Sequence, residues 1–249
     1  MAGSKGLGLA CATRLAKAGH PVAICGRTPD SLRSAVNTLS SYGNAIALTA
    51  DVGKPDELRA AIEEASSQLG SLGVLVANAG GPKVGGFFDL TAEDWQAGYE
   101  LTMGSVITSI NAVVPHMRKS GGGRIIVLGS SSVRKPIPGL TLSNVFRPAL
   151  SGMIKDLAVE LAAEKITVNM VSPGRIDTDR VRSLDAINAA KRSVTPEQQR
   201  QSSESVIPFG RYGTPDEFAS LVGFLASGEA SYITGQSILV DGALVPTLQ

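Results

Sequence analysis

Residues 124–160 read RIIVLGSSSVRKPIPGLTLSNVFRPALSGMIKDLAVE, and this stretch decides the fold. Its first part, residues 125–128, is a short apolar run rich in β-branched side chains, which predicts a parallel strand covered on both faces. Its last part predicts an amphipathic helix, because apolar residues recur at helical spacing at Leu150, Met153, Ile154, Leu157 and Leu161. Three serines, at residues 130–132, follow the strand. Ligands bind beyond the carboxyl ends of parallel strands, so we expect any chemistry to take place here.

Helical and strand patterns alternate along the rest of the chain. They predict helices at residues 6–19, 29–41, 55–69, 91–119 and 215–227, and strands at residues 21–25, 45–49, 74–77, 167–171 and 237–240. Strands separated by helices indicate an α/β fold with a doubly wound parallel sheet and right-handed crossovers. We expect a single domain over residues 1–249. The polar segment at residues 175–205 is long for a connection, so it is either a lid or disordered.

The composition excludes several classes of function. The 249 residues include 18% charged and 43% hydrophobic residues and carry a net charge of +1, which fits one α/β domain with a full core. Since there is no basic tract, nothing indicates nucleic acid or an anionic membrane as a partner. No apolar run approaches the roughly 20 residues that span a bilayer, and no signal peptide opens the chain. Cys11 and Cys25 fit buried reduced thiols, so we expect a cytoplasmic protein, and no metal-ligand cluster is seen.

The first eight residues, MAGSKGLG, read as a glycine-rich turn that opens a helix. Such a turn binds phosphate when a strand aims it and a helix N-terminus supplies N–H groups and a dipole. Here the helix half of the motif is present, and no strand precedes it.

Five segments, in this order, resemble motifs of the short-chain dehydrogenase/reductase family. They are MAGSKGLG at residues 1–8, ADV at 50–52, ANAG at 77–80, VNMVSPGRIDT at 168–178 and ITGQSILVDGA at 233–243. The resemblance extends from Ala2 to Leu244 and implies a Rossmann-like fold that binds a nicotinamide dinucleotide. The cofactor contacts that it implies are Gly3, Ser4, Lys5, Leu7, Asp51, Val52, Asn78, Ala79, Gly80, Arg147, Pro173, Gly174, Ile176 and Thr178.

The resemblance also implies that the first strand of the fold is missing from the chain as given. In the family this strand lies in the middle of the sheet and is hydrogen-bonded on both edges, so its removal leaves two open ladders. We expect an upstream start, an unrecorded segment or a deliberate truncation.

The catalytic positions are where the chain departs from the family. The family uses a serine, a tyrosine, a lysine four residues after the tyrosine, and an asparagine on the preceding helix; these positions hold Ser130, Ser143, Arg147 and Leu101. A tyrosine with a pKa near 10 needs a neighbouring cation to exchange protons near neutrality, and Ser143 with Arg147 does not reproduce that pair. Pro148 is expected either to kink the helix or to mark its first turn, so that Ser143 and Arg147 need not share a face.

Three functions remain open at this point. The first is an oxidoreductase that acts on a small carbonyl or alcohol and takes its proton from water or from a substituted group, for which Tyr99, Tyr212 and Tyr232 are candidates. The second is a non-redox enzyme, such as a lyase, isomerase or cyclase, in the same pocket. The third is a catalytically silent nucleotide-binding subunit. We rank the oxidoreductase first, because the cofactor-side residues match the family and only the proton relay is changed.

The residues that follow the strand at 21–25 predict NADP(H) rather than NAD(H). An acidic residue at this position would bind the 2′-hydroxyl of NAD, but the chain has Arg27 and Thr28, and Lys5 points to the same region. Two cations and a small hydroxyl suit a 2′-phosphate, with Arg27 as the main discriminator.

The resemblance further implies an oligomer. Relatives pair through the helices at residues 91–119 and 143–164, and both of these helices carry more apolar surface than one sheet face needs. We expect a homotetramer or a homodimer.

Overall fold

The computed structural model describes residues 1–248, in which strands and helices alternate as predicted. The strands are β1 (Val22–Gly26), β2 (Ala45–Thr49), β3 (Val74–Ala77), β4 (Gly123–Leu128), β5 (Ile166–Pro173) and β6 (Ser237–Val240). The helices are α1 (Gly6–Lys17), α2 (Pro29–Leu39), α3 (Pro55–Leu69), α4 (Ala92–Tyr99), α5 (Ser105–Lys119), α6 (Thr141–Glu160), α7 (Asp179–Arg192), α8 (Pro196–Glu204) and α9 (Pro215–Ala226). The paired strands run parallel, which confirms the predicted Rossmann-like α/β fold.

Apolar side chains cover the sheet on both faces. On one face α1, α2 and α9 enclose a buried cluster that includes Leu15, Ile126 and Phe218. On the other face α5 and α6 enclose a second cluster that includes Ile125 and Leu150. Because successive strand residues point to opposite faces, Ile125 and Ile126 belong to different clusters. Strand β4 is therefore buried from both sides, which explains the continuous apolar run in the sequence.

The sheet is divided into two parts. Strands β1 and β2 pair with each other, whereas β3, β4, β5 and β6 form a second sheet in that order. Between β1 and β3 lies a cavity of about 570 Å³, which we call the central slot; Cys25 of β1 and Val76 of β3 are among its lining residues. The chain begins at the end of this slot, where the Met1 amine donates a hydrogen bond to the Val76 carbonyl at 3.0 Å. The N–H of Gly3 donates to the Cys25 carbonyl at 3.0 Å.

The helix predicted at residues 91–119 is interrupted by a π-helical turn at Glu100–Gly104, which separates α4 from α5. Helix α4 begins after Thr91, whose hydroxyl accepts a hydrogen bond from the N–H of Asp94 at 3.3 Å. A π turn inserts one extra residue into the helix and changes which side chains face inward. The amphipathic pattern of the sequence did not reveal this change.

Helix α6 does not begin near Arg147, so that expectation is wrong: the helix starts at Thr141 and contains Pro148 in its interior. The proline has no N–H for the carbonyl of Asn144, and the helix continues because its other backbone bonds and the apolar face remain. Ser143 and Arg147 are both buried and lie one turn apart on this helix. Pro148 therefore does not prevent them from lying on the same face of the helix.

The segment at residues 175–205 contains α7 and α8, which favours the lid over disorder. A buried carboxylate, Asp185, holds this segment in place. It accepts hydrogen bonds from Nη1 of Arg175 and from the hydroxyl of Tyr212, both at 2.8 Å. Helix α8 is connected to the start of the segment by Arg200, whose Nη1 lies 3.1 Å from Oδ2 of Asp177.

An apolar extension of about six residues before Met1, the usual length of a strand, should raise the melting temperature. It would pair with the open edges of β1 and β3 and fill the central slot. A gain of about 2 kcal/mol corresponds to a rise of about 4–8 °C for a chain of this size. Scanning calorimetry of the extended and unextended proteins measures the difference.

The control is a glycine–serine extension of the same length, which should leave the melting temperature unchanged because it supplies no apolar side chains. Equal melting curves for the apolar extension and the unextended chain would contradict the prediction.

Candidate active site

The glycine-rich turn lies where α1 meets the ends of β1 and β3. The side-chain amide of Asn78, just after β3, donates a hydrogen bond to the Ala2 carbonyl at 3.2 Å. A Cβ on Gly8 would collide with that carbonyl and lie 2.9 Å from the Asn78 amide nitrogen. Gly6 adopts a positive φ of 53°, and its open side faces the side chain of Thr178. The structure therefore brings together the turn, the end of β3 and the segment after β5, as the motifs predict.

The N-terminus of α1 is open toward this turn. Lys5 is the N-cap residue, and its side chain makes no capping hydrogen bond to the first turn of the helix. Free N–H groups at a helix N-terminus, together with the helix dipole, make a binding site for a phosphate group. Ser4 and Leu7 flank this opening. The glycine cradle and the open helix end fit the pyrophosphate of a dinucleotide.

Arg27 and Asp51 follow β1 and β2 and lie side by side at the same edge of the sheet. Their side chains are 4.0 Å apart, and that of Arg27 is 78% exposed. Asp51 also accepts a hydrogen bond from the N–H of Gly53 at 3.0 Å, which turns the chain after β2. Thr28 is the N-cap residue of α2, and Val52 is buried below Asp51. An exposed arginine so loosely held remains free to contact a bound anion.

The serines after β4 form a small hydroxyl cluster with α6. The N–H of Ser132 donates to the hydroxyl oxygen of Ser130 at 3.2 Å. The hydroxyl of Ser132 lies 3.3 Å from that of Ser143. The two predicted serines, Ser130 and Ser143, are thus connected through Ser132.

Arg147 is buried beneath this cluster. Its Nη1 donates a hydrogen bond to the carbonyl of Leu128, the last residue of β4. Its Nε has no hydrogen-bond partner within the described part of the chain. Burial, and to a smaller extent the positive charge of Arg180, lowers the pKa of Arg147 to about 10. The guanidinium therefore stays protonated at neutral pH.

The segment after β5 completes the edge of the site. Pro173 ends β5, and a Cβ on Gly174 would collide with Asp241. Ile176 is buried, while the hydroxyl of Thr178 accepts a hydrogen bond from Val181 and caps α7. Ala79 and Gly80 follow the end of β3. Apart from Arg147, which lies inside α6, the residues for which we predicted cofactor contacts lie after the carboxyl ends of the parallel strands or at the N-terminus of α1.

Comparison with known proteins agrees with this geometry. Residues 1–244 match the family model described as enoyl-(acyl carrier protein) reductase. The chain is 34% identical over 243 residues to human dehydrogenase/reductase SDR family member 4, which covers 97% of this chain and 84% of that protein. This chain belongs to the short-chain dehydrogenase/reductase family.

Solved structures of other family members superpose closely. L-sorbose reductase from Gluconobacter frateurii, in complex with NADPH and L-sorbose, has a TM-score of 0.94 and 30% identity, over 99% of this chain and 95% of that chain. YwfH, an NADPH-dependent reductase involved in bacilysin biosynthesis, has a TM-score of 0.93 and 30% identity, over 98% and 96% of the two chains. The NADPH complex of the sorbose reductase agrees with the predicted choice of NADP(H).

The π-helical turn of this short-chain dehydrogenase/reductase presents a threonine that the sequence did not single out. Leu101, which we aligned with the family asparagine, packs against the apolar cluster around Val52 and Leu58. The next residue, Thr102, is 1% exposed, and its hydroxyl has no hydrogen-bond partner among residues 1–248. Because the π turn changes the phase of the helix, this inward position was not visible in the sequence.

The three candidate tyrosines make other contacts. Tyr212 donates its hydroxyl to Asp185, and burial raises the pKa of its phenol. Tyr99 packs against Phe146, with ring centroids 6.2 Å apart, and Tyr232 is fully exposed. In residues 1–248, no hydrogen bond joins any of these phenols to the serine cluster.

Two further properties concern residues 1–248 as a whole. They contain no group of three or more His, Cys, Asp or Glu side chains arranged to hold a metal ion. None of their helices is both long and apolar enough to cross a membrane.

Replacing Arg147 by Met should preserve or raise the melting temperature of the ligand-free protein. The change removes a buried cation that has no carboxylate partner, which stabilises the folded state. It also removes one hydrogen bond to Leu128, which costs about 1 kcal/mol of stability. Each kcal/mol of net gain should raise the melting temperature by about 2–4 °C, as measured by calorimetry.

Arg134→Met is the matched control, because Arg134 is a half-buried arginine near the same serine cluster. We expect little change for this variant. A fall of more than about 4 °C, or about 1–2 kcal/mol, for Arg147→Met would show that the guanidinium stabilises the fold, and the prediction would then be wrong.

Proposed function

We propose that this chain is an NADP(H)-dependent oxidoreductase that acts on a small carbonyl or alcohol through an atypical proton relay. The observation that supports this proposal is the division of the site into two halves. The glycine turn, the open N-terminus of α1, Asn78 and Thr178 would form the dinucleotide site. Ser143 and Arg147 are the residues that we aligned with the family acid and its supporting cation, and they lie beside it in the serine cluster and α6.

The cofactor would be held by the residues assembled at the carboxyl edge of the sheet. The N-terminus of α1 would hold the pyrophosphate, Arg27 the 2′-phosphate, and Asp51 with Val52 the adenine. Arg147 would contact the nicotinamide ribose. A nicotinamide held there would supply the hydride for the carbonyl carbon, and the side chains of the site would have to stabilise the negative charge on the carbonyl oxygen until it is protonated.

The side chains of the site can stabilise this alkoxide but cannot readily supply its proton. Ser130 and Ser143 can donate hydrogen bonds to the oxygen, and the guanidinium of Arg147 lowers the energy of nearby negative charge. Neither a hydroxyl nor a guanidinium with a pKa of about 10 is an efficient acid at neutral pH. Water is therefore the proposed proton donor.

The absence of a suitable acid also supports a second candidate. A lyase, isomerase or cyclase could use the same pocket without hydride transfer, and a silent subunit would bind the nucleotide without turnover. The absorbance of NADPH, followed with a panel of carbonyl compounds, separates the three functions. A fall in the NADPH absorbance supports the oxidoreductase. Substrate conversion at constant absorbance supports the non-redox enzyme, and saturable binding of the nucleotide without conversion supports the silent subunit.

A cytoplasmic location is part of the proposal. Cys11 and Cys25 are free and buried, and burial raises the pKa of Cys11 to about 12, so this thiol is unreactive. Unpaired buried thiols fit a reducing compartment.

We also propose that the chain forms a homotetramer or a homodimer. Large apolar side chains are exposed on α6 and close to α4, and these include Phe88, Tyr99, Val145 and Val159. Contact between copies of the chain would remove this surface from water.

Light scattering should give a multiple of 25.7 kDa. Val159, which is 80% exposed, is the site of choice for a disrupting change to lysine, and we expect this variant to dissociate at higher concentration than the parent. A single species of 25.7 kDa for the parent chain would exclude the oligomer.

Arg27→Ala should weaken NADP(H) binding by about 1.5–3 kcal/mol, because it removes a charge-assisted contact with the 2′-phosphate. NAD(H) lacks that phosphate, so its affinity should stay nearly unchanged. Calorimetric titration of both cofactors measures the two effects, and Arg33→Ala, on the exposed face of α2, serves as the control. Equal losses for NADP(H) and NAD(H) would contradict the assignment.

A further inference from the structure

We propose that Arg180 and Arg147 form an anion subsite for a carboxylate of the substrate, so that the enzyme acts on an oxo acid or a hydroxy acid. This inference rests on the proposed function and adds the class of its substrate. The two arginines come from different elements, the first turn of α7 and the middle of α6.

Arg180 extends from the lid to the end of β3. Its guanidinium packs directly against Gly81, where a Cβ would collide with it. Arg180 is an exposed residue, although partial burial lowers the pKa of its guanidinium. The side chain therefore lies over the segment that follows β3.

Arg147 supplies the second, independent observation. It is 7% exposed, and its only described acceptor is the neutral carbonyl of Leu128. Its Nε is buried without a partner in the described chain. The charge of Arg180 is close enough to disfavour the protonated form of Arg147. Arg147 is thus a buried cation without a counter-ion, and the nearby positive charge of Arg180 adds to the cost, which a bound anion would offset.

The neighbouring carboxylates are engaged by other cations. Asp177 pairs with Arg182 at 2.5 Å and with Arg200 at 3.1 Å, and Asp179 pairs with Arg182 at 2.7 Å. Asp185 accepts its bonds from Arg175 and Tyr212. Among residues 1–248, no carboxylate oxygen lies within 4.0 Å of Arg180 or Arg147. Since residues 1–248 supply no counter-ion to either arginine, an anion that pairs with them would come from a ligand.

A carboxylate fits this pair better than a neutral group. Guanidinium groups hold planar carboxylates through paired charge-assisted hydrogen bonds. The serine cluster lies next to Arg147 and is available for the carbonyl or hydroxyl oxygen of the same ligand. A phosphate of the cofactor has the same charge and is the alternative source of the anion, which the experiment below separates from the substrate.

The test uses calorimetric titration of the full chain with oxalate and, for comparison, with uncharged oxamide. Binding of NADPH is measured first, and oxalate is then titrated into both the ligand-free and the NADP⁺-saturated protein. The variant is Arg180→Gln. Arg182→Gln is the matched control, because Arg182 lies half a turn away on the same helix and already pairs with Asp177 and Asp179.

We expect oxalate to bind the NADP⁺-saturated protein, oxamide not to bind, and Arg180→Gln to weaken oxalate binding by about tenfold or more. Arg182→Gln should bind oxalate like the parent. Absence of oxalate binding to the parent, or equal affinity in Arg180→Gln, would overturn the proposal. A loss of NADPH affinity in Arg180→Gln with oxalate binding unchanged would assign the anion to the cofactor and would also overturn it.

The titration of the ligand-free protein distinguishes failure of the anion subsite from failure of the proposed oxidoreductase. If oxalate binds in an Arg180-dependent way but NADPH does not bind, the anion subsite is supported and only the proposed oxidoreductase is contradicted. In the carbonyl panel, we expect 2-oxo acids to exceed their methyl esters in kcat/KM by about tenfold, a preference that Arg180→Gln should abolish.

Discussion

The register of β4 between β3 and β5 is the constraint on which the site depends. Val127 of β4 pairs with Ala77 of β3 on one side and with Met170 of β5 on the other. This pairing brings the ends of three strands to one edge, so that Asn78, Ser130 and the segment after β5 become neighbours. A slip by one residue would turn every side chain of β4 to the opposite face and would exchange the two apolar clusters.

Much of the fold could be predicted because buried positions can be recognised from the local pattern of apolar residues. In β4 the apolar run is continuous, and in α6 the apolar residues recur at helical spacing. Both patterns indicate which faces are buried, and the structure has the strand and the helix at these places. Two other local features could not be recognised in the sequence. The π turn changes the phase of a helix without changing its composition, and Pro148 lies in a helix that is held by its tertiary contacts.

The residues of the site also fall into those that could be assigned from the sequence and those that could not. The glycines of the turn could be assigned from sequence, since close approach of the backbone requires glycine at Gly8 and positive φ at Gly6. Ser132, Thr102 and Arg180 could not, because their importance depends on partners far along the chain or on partners that are absent. An unsatisfied hydroxyl or an unpaired guanidinium is a property of the folded surroundings, and the local sequence carries no signal for it.

The central slot and the two arginines are the places where polar groups lack the partners that a folded protein normally provides. At the slot, no strand of residues 1–248 lies between the backbone edges of β1 and β3. At the arginines, the buried cation Arg147 has no carboxylate partner in residues 1–248, and the positive charge of Arg180 is close to it. The slot and the arginines require different partners. The unpaired edges of β1 and β3 need backbone hydrogen-bonding groups, whereas a buried cation needs negative charge. They also differ in consequence: filling the slot completes the sheet that aligns the strand ends, whereas an anion at the arginines affects only what those ends can bind.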